Sequence, residues 1–356
     1  MLPAKAEFAP SAADKAFPSR IPSLDGIRAV AILLVVFAHL CGTRGFLPEA
    51  TLAYTGDLGR RGVQIFFVLS GFLITSLLIS ELRGTGWISL KAFYIRRAFR
   101  IMPAAYCYIG AMLVLTLLGV LPISARGMIA ASTYTINYWG AGRTWYLGHL
   151  WSLSVEEQFY FAWPSVLALL GARIARRVVV AAAVFGCCFR VVAKFCLPPQ
   201  SISWFPTVMD ALAVGCLLAL IRADLERSDR YRRYLHSAWG LVCPLAAILG
   251  IQIVRRPDAL LSLPFSIAIA ALIHRVASVP TDALGRLLNA RPVAWVGTVS
   301  YSLYLWQQAF VFRDAPHSRF PLNLALALFV AVVSHYAIER PLLRIGRRAS
   351  QRIKPL

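Results

Sequence analysis

Stretches of about 17–20 apolar residues, each long enough to cross a bilayer as a helix, recur along the chain from residue 26 to residue 338. This recurrence limits the fold more than any other feature. In hydrocarbon every backbone N–H and C=O must be satisfied within its own segment, so runs of this length and spacing become helices. The runs cover 26–42, 62–81, 103–121, 152–171, 178–196, 204–221, 239–254, 259–275, 294–312 and 320–338. The expected fold is all-α: a polytopic membrane helix bundle of about ten transmembrane helices. A weaker run, 128–139, contains Tyr134, Tyr138 and Trp139 and reads as re-entrant or interfacial.

Charge then orients the bundle. The formal net charge of +21 invites a nucleic-acid reading, but the basic residues cluster between the apolar runs. The termini and even-numbered loops hold 24 Lys and Arg, against 9 in the odd-numbered loops. The richer side is expected to be cytoplasmic, which places both termini there and removes the need for a nucleic-acid partner. An eleventh span at 128–139 would invert everything after it and spoil this asymmetry. Residues 1–20 lack an apolar core, so the first run reads as an uncleaved span rather than a signal peptide. The expected organisation is an amino-terminal tail 1–23, a membrane domain 24–341 and a basic carboxy-terminal tail 342–356, both tails cytoplasmic. The seven cysteines show no CxxC spacing and read as small packing residues, with no metal site expected.

Ionisable groups inside a membrane are costly and mark candidate functional sites. The first run, "LDGIRAVAILLVVFAHLCG", carries Asp25, Arg28 and His39. Arg28 and His39 are eleven residues apart, about three helical turns, so they share a face roughly 16 Å apart along the axis. Asp25 lies one turn before Arg28 on a similar face. Two readings stand for this pair: a functional line, or a snorkelling arginine and an interfacial histidine. In "FYIRRAFRIMPAAY", Arg97 and Arg100 are one turn apart with Arg96 beside them. Guanidinium forks suit phosphate oxygens, and basic anchors are equally expected in a cytoplasmic loop before a span opened by Pro103.

The stretch "GHLWSLSVEEQFYFAWP" brings His149, Ser154, Glu156 and Glu157 together at the start of the fourth run. Ser154 and Glu157 have the spacing of a capping box, which leaves Glu156 less explained. Two carboxylates and a histidine at a membrane boundary suit acid–base chemistry, or simply a well-capped helix start. Ser70-Gly71 suits a close helix contact. Asp210 has no evident local partner, and His335 stands one turn before Glu339.

The segments "LDGIRAVAILLVVFAH", "GVQIFFVLSGFLI", "FYIRRAFRIMPAAY", "HLWSLSVEEQFYF", "MDALAVG", "SYSLYLWQ" and "IERP" occur in this order between residues 24 and 341. As an ordered set they closely resemble the acyltransferase-3 family of integral membrane O-acyltransferases, over nearly the whole chain. The resemblance implies a bacterial inner-membrane, multi-pass enzyme without a permanently bound cofactor. It would move an acyl group, often acetyl, from cytoplasmic acyl-CoA to a hydroxyl of a cell-surface glycan or lipid-linked sugar.

It also implies His39 as an essential histidine, Arg28 as its basic companion, and Arg97 and Arg100 as residues of acyl-CoA use. Ser154, Glu156 and Glu157 fall in the family's "WSLSVEEQFY" stretch. Gln307 departs from the pattern: many members have histidine after "SYSLYLW", and glutamine cannot shuttle a proton near neutral pH. Some members carry a further soluble domain, and the chain resembles the stand-alone form.

The expected mechanism follows. Arg96, Arg97 and Arg100 hold CoA phosphates, and His39 takes the proton of the attacking hydroxyl. Asp25 and Arg28 set charge and orientation, while Glu156 orients His39 or binds sugar hydroxyls. Direct transfer is preferred over an acyl-enzyme. The rival class is a transporter or flippase of a glycan or lipid intermediate, which explains the spans but not the ordered motifs.

Overall fold

The computed structural model describes residues 22–140, 144–254, 258–312 and 318–353, and all but the last two residues of the tail 1–23 lie outside them. The helices, in chain order, are α1 Pro22–Leu40, α2 Leu52–Thr85, α3 Leu90–Leu117, α4 Ala125–Ser132, α5 Trp145–Gly148, α6 Leu150–Cys196 and α7 Phe205–Arg227. They continue with α8 Asp229–His236, α9 Trp239–Val254, α10 Asp258–Ser278, α11 Ala283–Asn289, α12 Arg291–Phe310, α13 Leu322–Ser334 and α14 Arg340–Gln351. A π-helical turn, His335–Glu339, joins α13 to α14. No β-strand occurs among the described residues, and the all-α expectation holds.

Seven helical stretches are long and apolar enough to cross a membrane, and the bent pair α8–α9 adds an eighth. The chain is thus a multi-pass membrane protein. Two of the ten runs read from the sequence, 152–171 and 178–196, lie in one element, α6. Gly171 interrupts it with φ 70° and ψ 169°, a backbone geometry open chiefly to glycine. The run 294–312 corresponds to α12, whose hydroxyl and amide side chains keep it below the apolarity of the other spans. The weak run near 128–139 becomes α4 and a short 3₁₀ turn at Ile136–Tyr138.

Two helix starts differ from expectation. α3 begins at Leu90, where Ser89 accepts the Ala92 N–H at 3.3 Å as N-cap, and runs on through Pro103. Arg96, Arg97 and Arg100 therefore sit within the helix rather than in a loop before it. α6 begins at Leu150, so Ser154 is an interior residue whose hydroxyl bonds back to the Leu150 carbonyl at 3.0 Å. The capping-box reading of Ser154 and Glu157 is corrected: the signature was present, but the helix starts a turn earlier.

The chain divides into two compact units. The first comprises residues up to Ile27, Gln64–Ile88 and Phe159–Ala294. Its α2 and α7 backbones nearly touch. A Cβ added to Gly71 would lie 2.1 Å from the Leu212 carbonyl oxygen, and one added to Gly215 would lie 2.0 Å from that of Val68. Only glycine admits this approach, as is common where membrane helices associate. The same unit supplies Asp210 with a partner from α6: the Arg190 guanidinium donates to its carboxylate. The Ser262 hydroxyl donates to the other carboxylate oxygen at 3.4 Å. Gln64 Nε2 reaches the Ser262 hydroxyl and the Ser266 hydroxyl, each at 2.8 Å.

The second unit comprises Arg28–Val63, Ser89–Gln158 and Trp295–Leu356. Here α14 packs on α3, with a Cβ added to Gly346 falling 2.5 Å from the Phe99 Cβ. The basic segment after residue 341 is therefore helical as far as Gln351.

Candidate active site

The site of interest lies in the second unit, and α12 organises it. Ser300, Tyr304, Gln307 and Gln308 recur at spacings of four, seven and eight residues and are buried, so they form one face of the helix. Burying consecutive glutamines in an apolar helix is expensive unless each amide finds partners. Both do, and both partners are histidines.

His39, in the last turn of α1, has its Nδ1 2.8 Å from Gln307 Oε1. Its ring meets the edge of Trp145 at 5.2 Å. His149, between α5 and α6, has its Nδ1 2.7 Å from Gln308 Oε1. The His149 backbone N–H donates to that same oxygen at 3.2 Å. A backbone N–H can only donate, so this contact fixes the oxygen side of the Gln308 amide. The His149 Nδ1 must then carry the ring proton, leaving Nε2 with its lone pair.

The same relation holds for His39, whose Nδ1–H donates to Gln307 and whose Nε2 is left as the basic atom. The two imidazoles are within electrostatic reach of each other.

A shell of aromatic and hydroxyl groups fixes the pair. The His149 ring lies edge-on between Tyr108 at 5.3 Å and Tyr304 at 5.4 Å. The Tyr304 hydroxyl donates to the His149 carbonyl at 2.8 Å and accepts from Ser152 at 2.6 Å. The Trp145 indole N–H donates to the Gln308 carbonyl at 3.0 Å.

Yet several buried polar atoms have no partner: His149 Nε2, Gln307 Nε2, Trp306 Nε1 and Thr144 Oγ1. Leaving such a group unsatisfied costs about 1–3 kcal/mol. Orphans gathered on the residues that hold two histidines suggest a place for a polar reactant.

A second polar group lies nearer the start of α12. The Tyr301 hydroxyl donates to the Ile101 carbonyl at 2.7 Å, and Glu156, Glu157, Glu339 and Tyr134 are within its electrostatic reach. Arg97 is within reach of Glu157 and lies 5.7 Å from the Phe93 ring centre. Glu339 accepts from Ser302 and from His335 Nδ1, each at 2.9 Å.

Gln158 clamps the loop after α4, donating to the Tyr134 carbonyl at 2.9 Å and to Asn137 at 3.0 Å. Tyr134 there adopts φ 53°, a strained value for a tyrosine. Burial, then the Glu157 charge, pushes its phenol above the usual tyrosine range.

The structure thus gathers His39 with His149, and Glu156 and Glu157 with Arg97. Arg96 and Arg100 are half-buried on the same helix as Arg97, α3. Arg28 belongs to this unit, whereas Asp25 belongs to the first. Ser154 contributes a helix-internal bond rather than a site group. Gln308 and Tyr304 were missed. The signal for Gln308 was present in "WQQ", two adjacent amides in an otherwise apolar turn.

A multi-pass helix bundle with buried, amide-oriented imidazoles defines a membrane protein equipped for proton transfer at an embedded site. The family model described as an acyltransferase domain matches residues 21–339, and the chain belongs to that family, acyltransferase-3.

Among curated proteins it is 30% identical to YrhL of Bacillus subtilis, provisionally named a peptidoglycan O-acetyltransferase, over 93% of this chain and 56% of that protein. It is 29% identical to the O-acetyltransferase OatA of Staphylococcus aureus, over 93% of this chain and 58% of OatA. The peptidoglycan O-acetyltransferase OatA of Listeria monocytogenes is 27% identical, over 92% and 56%. The chain therefore spans little more than half the length of these relatives. No solved structure matches it.

Proposed function

We propose that this protein is an acyl-CoA-dependent O-acyltransferase, with acetyl-CoA as donor and a hydroxyl of a cell-envelope glycan as acceptor. The observation that carries the reading is the pair of imidazoles held through Nδ1 by the adjacent amides Gln307 and Gln308. Orienting an imidazole through Nδ1 is how a neutral histidine is prepared to take a proton at Nε2. The named O-acetyltransferase activity of the relatives supports the class.

In this reading His39 removes the proton of the attacking hydroxyl, and His149 helps to hold that hydroxyl. Arg97, with Arg96 and Arg100, engages the phosphates of the donor, as guanidinium groups do. Glu156 and Glu157 set the charge around Arg97, while Asp25 and Arg28 set that of the first helix. No permanently bound cofactor is required. The loop charges favour ten crossings of the bacterial inner membrane with both tails cytoplasmic, which puts the arginines on the side where CoA is found. Domain limits of 24–341 for the membrane part accompany this topology.

The test compares envelope polysaccharide from a deletion strain complemented with wild type or with His39→Ala. Ester-linked acetyl should return only with wild type, at equal protein levels. Full acetylation by His39→Ala would overturn the assignment of the base.

A further inference from the structure

Gln307 does more at this site than hold a ring. Its side chain is wholly buried, its Oε1 is taken by His39 Nδ1–H at 2.8 Å, and its Nε2 has no acceptor. An amide has two ends that cannot be moved independently. With the oxygen fixed by the histidine, the N–H donors are fixed too, a bond or two from the ring that takes the proton. Such a donor, prepaid in desolvation and aimed at nothing in the resting protein, suits a charge that appears only during reaction.

We infer that the Gln307 amide N–H is the oxyanion donor for acyl transfer, an inference that rests on the acyl-CoA reading above. The acceptor oxygen attacks the thioester carbonyl carbon, and His39 Nε2 takes the hydroxyl proton. The carbonyl π pair moves onto oxygen, where the Gln307 N–H receives it. When the C=O re-forms, the C–S bond breaks and the sulfur leaves with its electron pair. The proton held on His39 passes to it, giving the ester and free CoA thiol. One side chain thus fixes the base and receives the charge that the base helps to create. A histidine at this position, as in many relatives by resemblance, keeps one ring acceptor and one ring donor. It preserves both jobs without itself acting as a base.

Gln307→Glu separates the two roles. It keeps an acceptor for His39 Nδ1–H and removes the N–H. The assay uses membrane vesicles containing the full chain, loaded with envelope glycan from the deletion strain and supplied with acetyl-CoA. Gln307→Glu is expected to lower the maximal transfer rate about 100-fold or more, with acetyl-CoA binding unchanged. The acid limb of its pH–rate profile should move to higher pH, because a carboxylate raises the basicity of the histidine it holds. Gln307→His should stay within about tenfold of wild type.

A Gln307→Glu enzyme with the wild-type maximal rate overturns the inference while leaving the acyl-CoA reading intact. Wild-type vesicles that transfer no acetyl from acetyl-CoA overturn that reading and this inference with it. Should the Glu variant fail to accumulate, Gln307→His against Gln307→Leu decides. Equal rates for those two overturn the inference, and transfer by His alone supports it.

Discussion

In the first unit, the charges buried in the membrane answer one another: Arg190 binds Asp210, Ser262 takes the second oxygen, and Gln64 closes the group from α2. In the second, His39 and His149 are held from one side only, and the atoms they would use chemically are left over. The orphans differ in kind as well. Those on Arg190 and Arg275 are spare nitrogens of guanidinium groups already paired with carboxylates. Those on His149, Gln307 and Glu157 belong to groups that accept protons or donate to a reactant. Buried polarity spent on structure closes on itself, whereas buried polarity kept for chemistry carries unsatisfied atoms. Substitutions in the first unit should therefore remove protein, and those in the second should remove activity while leaving protein.

The largest expected effect lies in the first unit. Gly215→Val should abolish accumulation of folded protein, because its side chain would meet the Val68 carbonyl at the α2–α7 crossing. Membrane immunoblots and size-exclusion in detergent check this, and a well-folded variant would break the comparison. Asp210→Ala should cost about 3–5 kcal/mol by stranding the Arg190 charge, read as a lowered unfolding temperature in detergent. Replacing Arg190 and Asp210 together with apolar residues of similar volume should recover most of that loss.

In the second unit, His39→Ala should lower transfer about 100- to 10,000-fold while unfolding at or near the wild-type temperature. Joint Arg97→Ala and Arg100→Ala should raise the KM for acetyl-CoA about tenfold, as expected for loss of more than 1 kcal/mol of donor binding. An unchanged KM would return the arginines to a topological role. Smallest is Ser154→Ala, which should change stability by less than about 1 kcal/mol because it removes a helix-internal bond and not a cap.

Helices were legible because apolar periodicity is local, and so were most of the candidate site residues. What escaped was pairing across sequence. Asp210 looked partnerless because Arg190 stands on another helix, twenty residues earlier. Gln307 was noticed for the histidine it replaces, yet its partner His39 is 268 residues away. Local signatures also misled where they depend on a helix start. S-x-x-E at 154–157 matched a cap, but α6 had begun at Leu150, and Pro103 looked like an opening residue although α3 begins at Leu90.

The π-helical turn at His335–Glu339 has a genetic consequence. Such a turn is what an α-helix becomes when it absorbs one additional residue without resetting the rest of its register. Here that slack lets His335 and Ser302 meet on one oxygen of Glu339. Losing a single codon within 335–339 would leave a regular helix of ordinary composition. It would also turn everything beyond the turn by about 100°, moving Gly346 away from Phe99. A frame-preserving deletion of one residue would thus be far less tolerated in this short span than most substitutions within it.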